Sequence, residues 1–201
     1  IIAMKKSTNH AKYENNDPVR KKLLARFLRQ LTQEVMAVHP KTIADAGCGE
    51  GFVVGQLMEA GVKAEMAGVE LSKEAVRIAN QKFPKATFKV GSIYKLPYKD
   101  KSYDLVLCNE VLEHLEKPAD AVKELKRVAK RYVICSVPHE PFFMVGSLAG
   151  GKYISRFGNH PEHINHWTNI SFRRFLEKNG LHVVKTHALM TFPWTLAVCT
   201  V

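Results

Sequence analysis

The stretch Asp45-Ala46-Gly47-Cys48-Gly49-Glu50-Gly51 limits the possible folds more than any other part of this chain. It follows a short apolar run, 42–46, and precedes a helical pattern from Phe52 to Ala60 that Gly61 stops. Glycines at a strand-to-helix turn let a ligand approach the backbone, where the first N–H groups of the helix point at it. Asp45 stands just ahead of those glycines, and a carboxylate there suits a cationic ammonium better than a diphosphate. Glu70 closes the next apolar run, 25 residues on, where an acid can accept both hydroxyls of a ribose. A lone G-x-G-x-G is weak, since a surface glycine loop would look the same. Strand, glycine turn, helix and an acid ending the next strand are together far more specific. The dinucleotide fingerprint G-x-G-x-x-G does not fit, because its third glycine would fall on Phe52.

The flanking sequence alternates strand and helix patterns. After a polar arm, 1–16, Asp17 reads as a helix N-cap with Pro18 in the first turn. Leu23, Leu24, Phe27, Leu28, Leu31 and Val35 follow at helical spacing, and His39-Pro40 closes an N-terminal helix over 17–39. Strands are predicted at 64–70, 86–90, 103–109 and 132–137, with a helix capped by Ser72 and another over 118–129. Such alternation gives βαβ crossovers and a parallel sheet covered on both faces. Residues 138–167 form an irregular insertion rich in Gly, His and aromatics, and insertions of this length in compact domains are usually functional. Thr168 caps a last helix that closes at Asn179-Gly180. The runs 181–189 and 195–201 are close enough to form an antiparallel hairpin, a departure from a plain dinucleotide fold.

Composition bounds the rest. With 201 residues, 46% hydrophobic and 24% charged, the chain fits one globular domain. No apolar run approaches the roughly 20 residues of a membrane span. Ile1-Ile2-Ala3-Met4 has no apolar core behind it, so a secretory signal is not expected; Met4 reads as the natural start and the cytoplasm as the default compartment. Cys48, Cys108, Cys135 and Cys199 form no CxxC pair and read as buried free thiols. The net charge is +11, and residues 1–41 supply +6 of it, from nine Lys/Arg against three Asp/Glu. A basic end can attract nucleic acid, anionic lipid or an acidic substrate, or be only a solvated helix face. No lysine run or aromatic interleaving marks a nucleic-acid groove.

Five segments carry a family likeness: Asp45–Gly51; Gly68-Val69-Glu70-Leu71-Ser72; Gly91-Ser92-Ile93-Tyr94-Lys95-Leu96-Pro97-Tyr98; Ser102-Tyr103-Asp104-Leu105-Val106; and Asn109-Glu110-Val111-Leu112-Glu113-His114-Leu115. In that order and spacing the chain resembles the class I S-adenosylmethionine-dependent methyltransferases of the small-molecule type, such as the ubiquinone and menaquinone methyltransferases. The resemblance spans about residues 40–137 and, more loosely, the helix and hairpin from 167 onward. It implies an α/β, Rossmann-like, doubly wound, seven-stranded and mostly parallel sheet ending in an antiparallel hairpin. It also implies a cofactor site. Asp45, Gly47, Cys48 and Gly49 would lie by the methionine moiety, and Glu70 would hold the ribose hydroxyls. Leu71 would pack on adenine, Ser92 and Ile93 would border the adenine edge, and Asn109 would line the methionine side. Tyr13 is a candidate pocket wall. Two positions depart from the family: Ser92 stands where Asp is usual, and 128–132 lacks the usual Pro-Gly-Gly turn.

A sulfonium methyl is already activated, so the protein must position a nucleophile in line with it and exclude water. An oxygen nucleophile also needs a base, for which histidine is suited near neutral pH. The candidates are His114 and the cluster His160, His163 and His166, with His114 and His163 as the catalytic pair. Each could also be structural. Glu110, Glu113 and His114 have an E-x-x-E-H spacing that some related enzymes use to hold a divalent metal, with His163 as a fourth ligand here; relatives with the same letters bind none, and no metal is assigned. The segment from Pro141 to Tyr153 reads as a lid with an apolar acceptor wall or as a patch facing lipid or a partner. The expected function is methyl transfer from S-adenosylmethionine to a small-molecule acceptor at oxygen, by a monomer or homodimer. An RNA methyltransferase and a non-catalytic S-adenosylmethionine-binding module are the alternatives.

Overall fold

The computed structural model describes residues 17–151, 153, 155 and 160–201. Helix α1, Pro18–Ala37, starts as its sequence dictates: the Asp17 carboxylate accepts from the Val19 N–H at 2.9 Å, and Pro18 needs no partner in the first turn. There follow β1 (Thr42–Ala46), α2 (Phe52–Glu59), β2 (Glu65–Glu70), α3 (Lys73–Lys82), β3 (Thr87–Val90), β4 (Tyr103–Asn109) and a 3-10 turn (Leu112–His114). The second half holds α4 (Pro118–Val128), β5 (Ala129–Pro138), α5 (Phe142–Ala149), α6 (Asn169–Lys178), β6 (His182–His187) and β7 (Trp194–Thr200).

The strands form one sheet in the order β3-β2-β1-β4-β5-β7-β6. β1 to β5 pair in parallel, and β7 runs antiparallel to both β5 and β6. Direction along the sheet reverses between β1 and β4, which opens a crevice at their carboxyl ends, where ligands bind in such sheets. Side chains alternate across the sheet. Ile43, Leu105, Leu107 and Ile134 meet Leu31, Val35, Val54, Leu57 and Val76 of α1, α2 and α3. Val106, Cys108, Val133 and Cys135 meet Val122, Leu125, Phe172 and Leu176 of α4 and α6. All four cysteines are buried and free. Among the described residues no helix is long and apolar enough to cross a membrane.

Three differences from the sequence reading bear on the crevice. Helix α4 stops at Val128 and β5 begins at Ala129, three residues earlier than predicted, because Ala129 already pairs with Tyr103 of β4. The predicted irregular insertion contains α5, an apolar helix whose first turn is held by Glu140, a carboxylate oxygen of which accepts from the Met144 N–H at 3.1 Å. Its run Phe142-Phe143-Met144-Val145 has no helical period to read. β6 is shorter than predicted. Residues 188–193 form a turn around Thr191, whose hydroxyl lies 2.6 Å from the His187 carbonyl and 2.7 Å from that of Trp194.

Candidate active site

The glycine turn sits at the crevice. The N–H groups of Gly47 and Cys48 both donate to the Val69 carbonyl, at 2.8 and 3.1 Å, so the turn folds back over the end of β2. Gly47 has φ +83°, and a Cβ there would lie 2.5 Å from Val111 Cγ2, so both conformation and space require glycine. Glu70 braces the same turn: one carboxylate oxygen accepts from the Gly49 N–H at 3.1 Å and the other from the Ser72 N–H at 3.0 Å. A carboxylate oxygen accepts more than one hydrogen bond, so both retain capacity for a hydroxyl.

Asp45, on β1, is buried, and its pKa is pushed up to about 7, first by burial and then by the neighbouring Glu70 charge. Nothing among the described residues offsets these effects. The alternation of β4 puts Asn109 on the same face as Asp45, because Asp45 is in register with Leu107. Asn109 is in turn in register with Ser136 of β5. Both amide atoms of Asn109 and the Ser136 hydroxyl are buried without a hydrogen-bond partner among the described residues. Buried polar groups are normally satisfied, so this row fits a polar ligand held against the sheet edge. Beyond Glu70, Leu71 is exposed, Ile93 packs partly on the core, and the Ser92 hydroxyl accepts from the Tyr94 N–H at 3.2 Å. The Gly91 N–H donates to the Glu70 carbonyl at 3.0 Å, which brings Leu71, Ser92 and Ile93 to one rim. Tyr13 lies outside the described residues.

The histidines gather on the other side of the crevice, past β4. The His114 N–H closes the 3-10 turn on the Val111 carbonyl, and Val111 is the residue packed on Gly47. Residues 160–166 dock on that turn. The Ile164 and Asn165 N–H groups donate to the Glu113 carbonyl at 2.9 and 3.0 Å, and the Asn165 amide donates to the carbonyls of Leu112 and Leu115. The His114 Nδ1 donates to the Glu162 carbonyl at 2.8 Å. A carbonyl can only accept, so this bond places a proton on Nδ1, while Nε2 lies 3.8 Å from the buried Glu113 carboxylate. The His163 ring is 4.9 Å from that of His114, with His160 stacked on it at 4.7 Å and Phe143 of α5 at 5.4 Å. His166 leaves the cluster and lies 3.7 Å from the buried Glu140.

Ligand atoms of Glu113, His114 and His163 lie within 4.8 Å of one another, a set that could hold a cation. Glu110 is outside that set, and its carboxylate accepts the Trp194 indole N–H at 2.5 Å.

A family profile described as a methyltransferase domain matches residues 44–136, which hold the glycine turn, Glu70, Asn109 and His114. Over those residues, just under half of the chain, the sequence is similar to the class I S-adenosylmethionine-dependent methyltransferases. S-adenosylmethionine is the cofactor of that family. An uncharacterized methyltransferase of Schizosaccharomyces pombe is 39% identical over 106 residues, 46% of this chain and 38% of that protein. A malonyl-[acyl-carrier protein] O-methyltransferase of Halalkalibacterium halodurans is 27% identical over 122 residues, 57% of this chain and 45% of that protein. The chain thus spans less than half the length of either relative. The crystal structure of magnesium protoporphyrin IX methyltransferase from Synechocystis, with S-adenosylhomocysteine bound, shares the fold at TM-score 0.71 and 21% identity, over 96% of this chain and 94% of that one.

Several residues at the crevice escaped the sequence reading. Ser136 lies in an apolar strand and gains meaning only from its register with Asn109. Trp194, which joins Glu110 and packs tilted against Phe27 of α1 at 5.2 Å, lies between the two runs of the expected hairpin. His139, at the end of β5 against Phe142, has its pKa lowered by burial.

Proposed function

We propose that this chain transfers the methyl group of S-adenosylmethionine to an oxygen of a small-molecule acceptor. In this reading Asp45 takes the ammonium group, which relieves a buried carboxylate that nothing among the described residues offsets. Asn109 faces the methionine portion and Glu70 accepts the ribose hydroxyls. Leu71, Ser92 and Ile93 border adenine, while Gly47, Cys48 and Gly49 leave room for the backbone to approach it. The cofactor supplies an activated methyl, and the chain supplies in-line placement and a dry cleft.

The observation that carries the acceptor half is the placement of the His114 ring. With Nδ1 committed to the Glu162 carbonyl, Nε2 is the nitrogen left to gain a proton, beside His163 and 3.8 Å from the Glu113 carboxylate that would offset the charge, on the turn packed against Gly47. That nitrogen can take the proton of an acceptor hydroxyl as the carbon–oxygen bond forms. His163 and Phe143 form the wall behind it. Radiolabelled methyl transfer to hydroxylated metabolites tests this reading. H114N is expected to slow turnover by about 100-fold or more while the thermal shift with S-adenosylhomocysteine stays as in the parent. Full turnover in H114N and H163N removes the base assignment, and a product methylated at nitrogen removes the oxygen acceptor.

The grouping of Glu113, His114 and His163 supports a second reading, in which these three hold a divalent cation that acidifies and orients the acceptor hydroxyl. Metal content of the purified protein and turnover after chelation separate the two. The second reading requires bound metal, lost in E113Q, and turnover abolished by chelator.

A further inference from the structure

The carboxyl edge of the sheet carries an apolar crest that neither reading of the chemistry uses. On α5, Phe142, Val145 and Leu148 recur at every third position and are exposed, Val145 by 61%. The β6–β7 turn adds Leu189, Met190 and Phe192, with Leu189 exposed by 84%. The two groups form one surface. The rings of Phe142 and Phe192 are 5.7 Å apart, and the His139 N–H at the foot of α5 donates to the Pro193 carbonyl at 2.9 Å. The opposite face of α5 lays Phe143 against His163, so the helix stands between the crest and the histidines.

Helix α1 borders the crest. The Arg26 guanidinium donates to the Leu189 carbonyl at 2.7 Å and lies 3.7 Å from Met190 Sδ. Along the same helix Arg20, Lys21, Lys22 and Arg29 are exposed. Residues 17–33 hold five Lys/Arg and one acid, Asp17, a net of +4.

Scattered apolar residues on a surface need no explanation, but a contiguous crest marks an interface. The adjoining cations select its partner. A nucleic acid would match the charge and leave the apolar crest in water. An acidic protein would need a groove deep enough for side chains projecting from two separate elements. An anionic bilayer matches both, with phosphates for the cations and an acyl boundary for the apolar side chains. We propose that this face docks on an anionic membrane surface, with α5 and residues 188–193 in the headgroup layer and α1 lying along the phosphates. The docking stands apart from which acceptor the crevice takes.

Cosedimentation with phosphatidylcholine vesicles, with and without phosphatidylglycerol, tests it. The protein is expected to bind only the anionic vesicles and to release as salt rises. L189D with M190D should weaken binding about 100-fold by removing two anchored side chains. R20E, K21E and K22E should each weaken it at least roughly fivefold. All these positions are exposed, and the thermal shift with S-adenosylhomocysteine reports that each variant is folded. Equal binding to both vesicle types, no binding to either, or undiminished binding by the L189D M190D variant overturns the proposal. Salt-sensitive retention on an RNA oligonucleotide without vesicle binding overturns it in favour of a nucleic acid.

Discussion

If Asp45 holds the cofactor's ammonium, the pH dependence of cofactor affinity is set by its burial. The carboxyl is raised from 3.8 to about 7 by desolvation and by Glu70. That is about 3 units, or on the order of 4 kcal/mol for holding the charge in the cofactor-free protein. Only the ionised form attracts an ammonium. At pH 5, roughly 1% of the free protein is ionised at this site, so affinity for S-adenosylhomocysteine should be about 100-fold weaker than its plateau above pH 7. Stability of the cofactor-free protein should run the opposite way. The folded pKa lies above the unfolded one, so the folded state holds this proton more tightly. The resulting stabilisation is complete below about pH 4 and is lost as pH rises through about 7. Calorimetric titration of S-adenosylhomocysteine between roughly pH 5 and 8 measures the first effect, and denaturant midpoints without cofactor measure the second. Asp45→Asn should bind weakly at every pH and flatten the affinity profile. A flat profile in the parent protein, or parent affinity in Asp45→Asn, would refute the reasoning.

Gly47→Ala places a methyl 2.5 Å from Val111 in a left-handed backbone conformation, so the cofactor-induced thermal shift should vanish or fall severalfold. Asn165→Ala removes both amide bonds that fasten 160–166 to the turn before α4; turnover should drop while S-adenosylhomocysteine affinity, measured by calorimetry, is unchanged. Phe172→Ala empties a fully buried site between α6 and the sheet and should cost about 3–5 kcal/mol in denaturant unfolding. A loss under about 1 kcal/mol there would mean that α6 repacks freely.

The glycine turn, the acid at the end of β2 and the strand–helix alternation were legible because each rests on a local requirement. Gly47 needs its positive φ, Asp17 and Ser72 supply caps beside their helices, and the apolar runs have strand length. The hairpin was legible for the same reason. Helix α5 was not, because an uninterrupted apolar run has no periodicity, and its capping carboxylate, Glu140, lies outside the usual cap position. The partition of the histidines was also hidden. His160, His163 and His166 are evenly spaced, yet the docking of Ile164 and Asn165 on the Glu113 carbonyl sends His163 to His114, while His166 goes to Glu140. Register decided Ser136, and no single strand announces what lies beside it.

The position of β7 has a consequence for synthesis. It is the last of the seven strands in the chain, yet it separates β5 from β6. While the chain leaves the ribosome, β1 to β4 can pair as they emerge and shape the half of the crevice that holds the glycine turn and Glu70. β6 then waits with both edges bare, and Trp194 is not yet there to meet Phe27 and Glu110. The half of the crevice beside β5 is therefore completed late, when 194–200 pairs with β5 and gives β6 its partner.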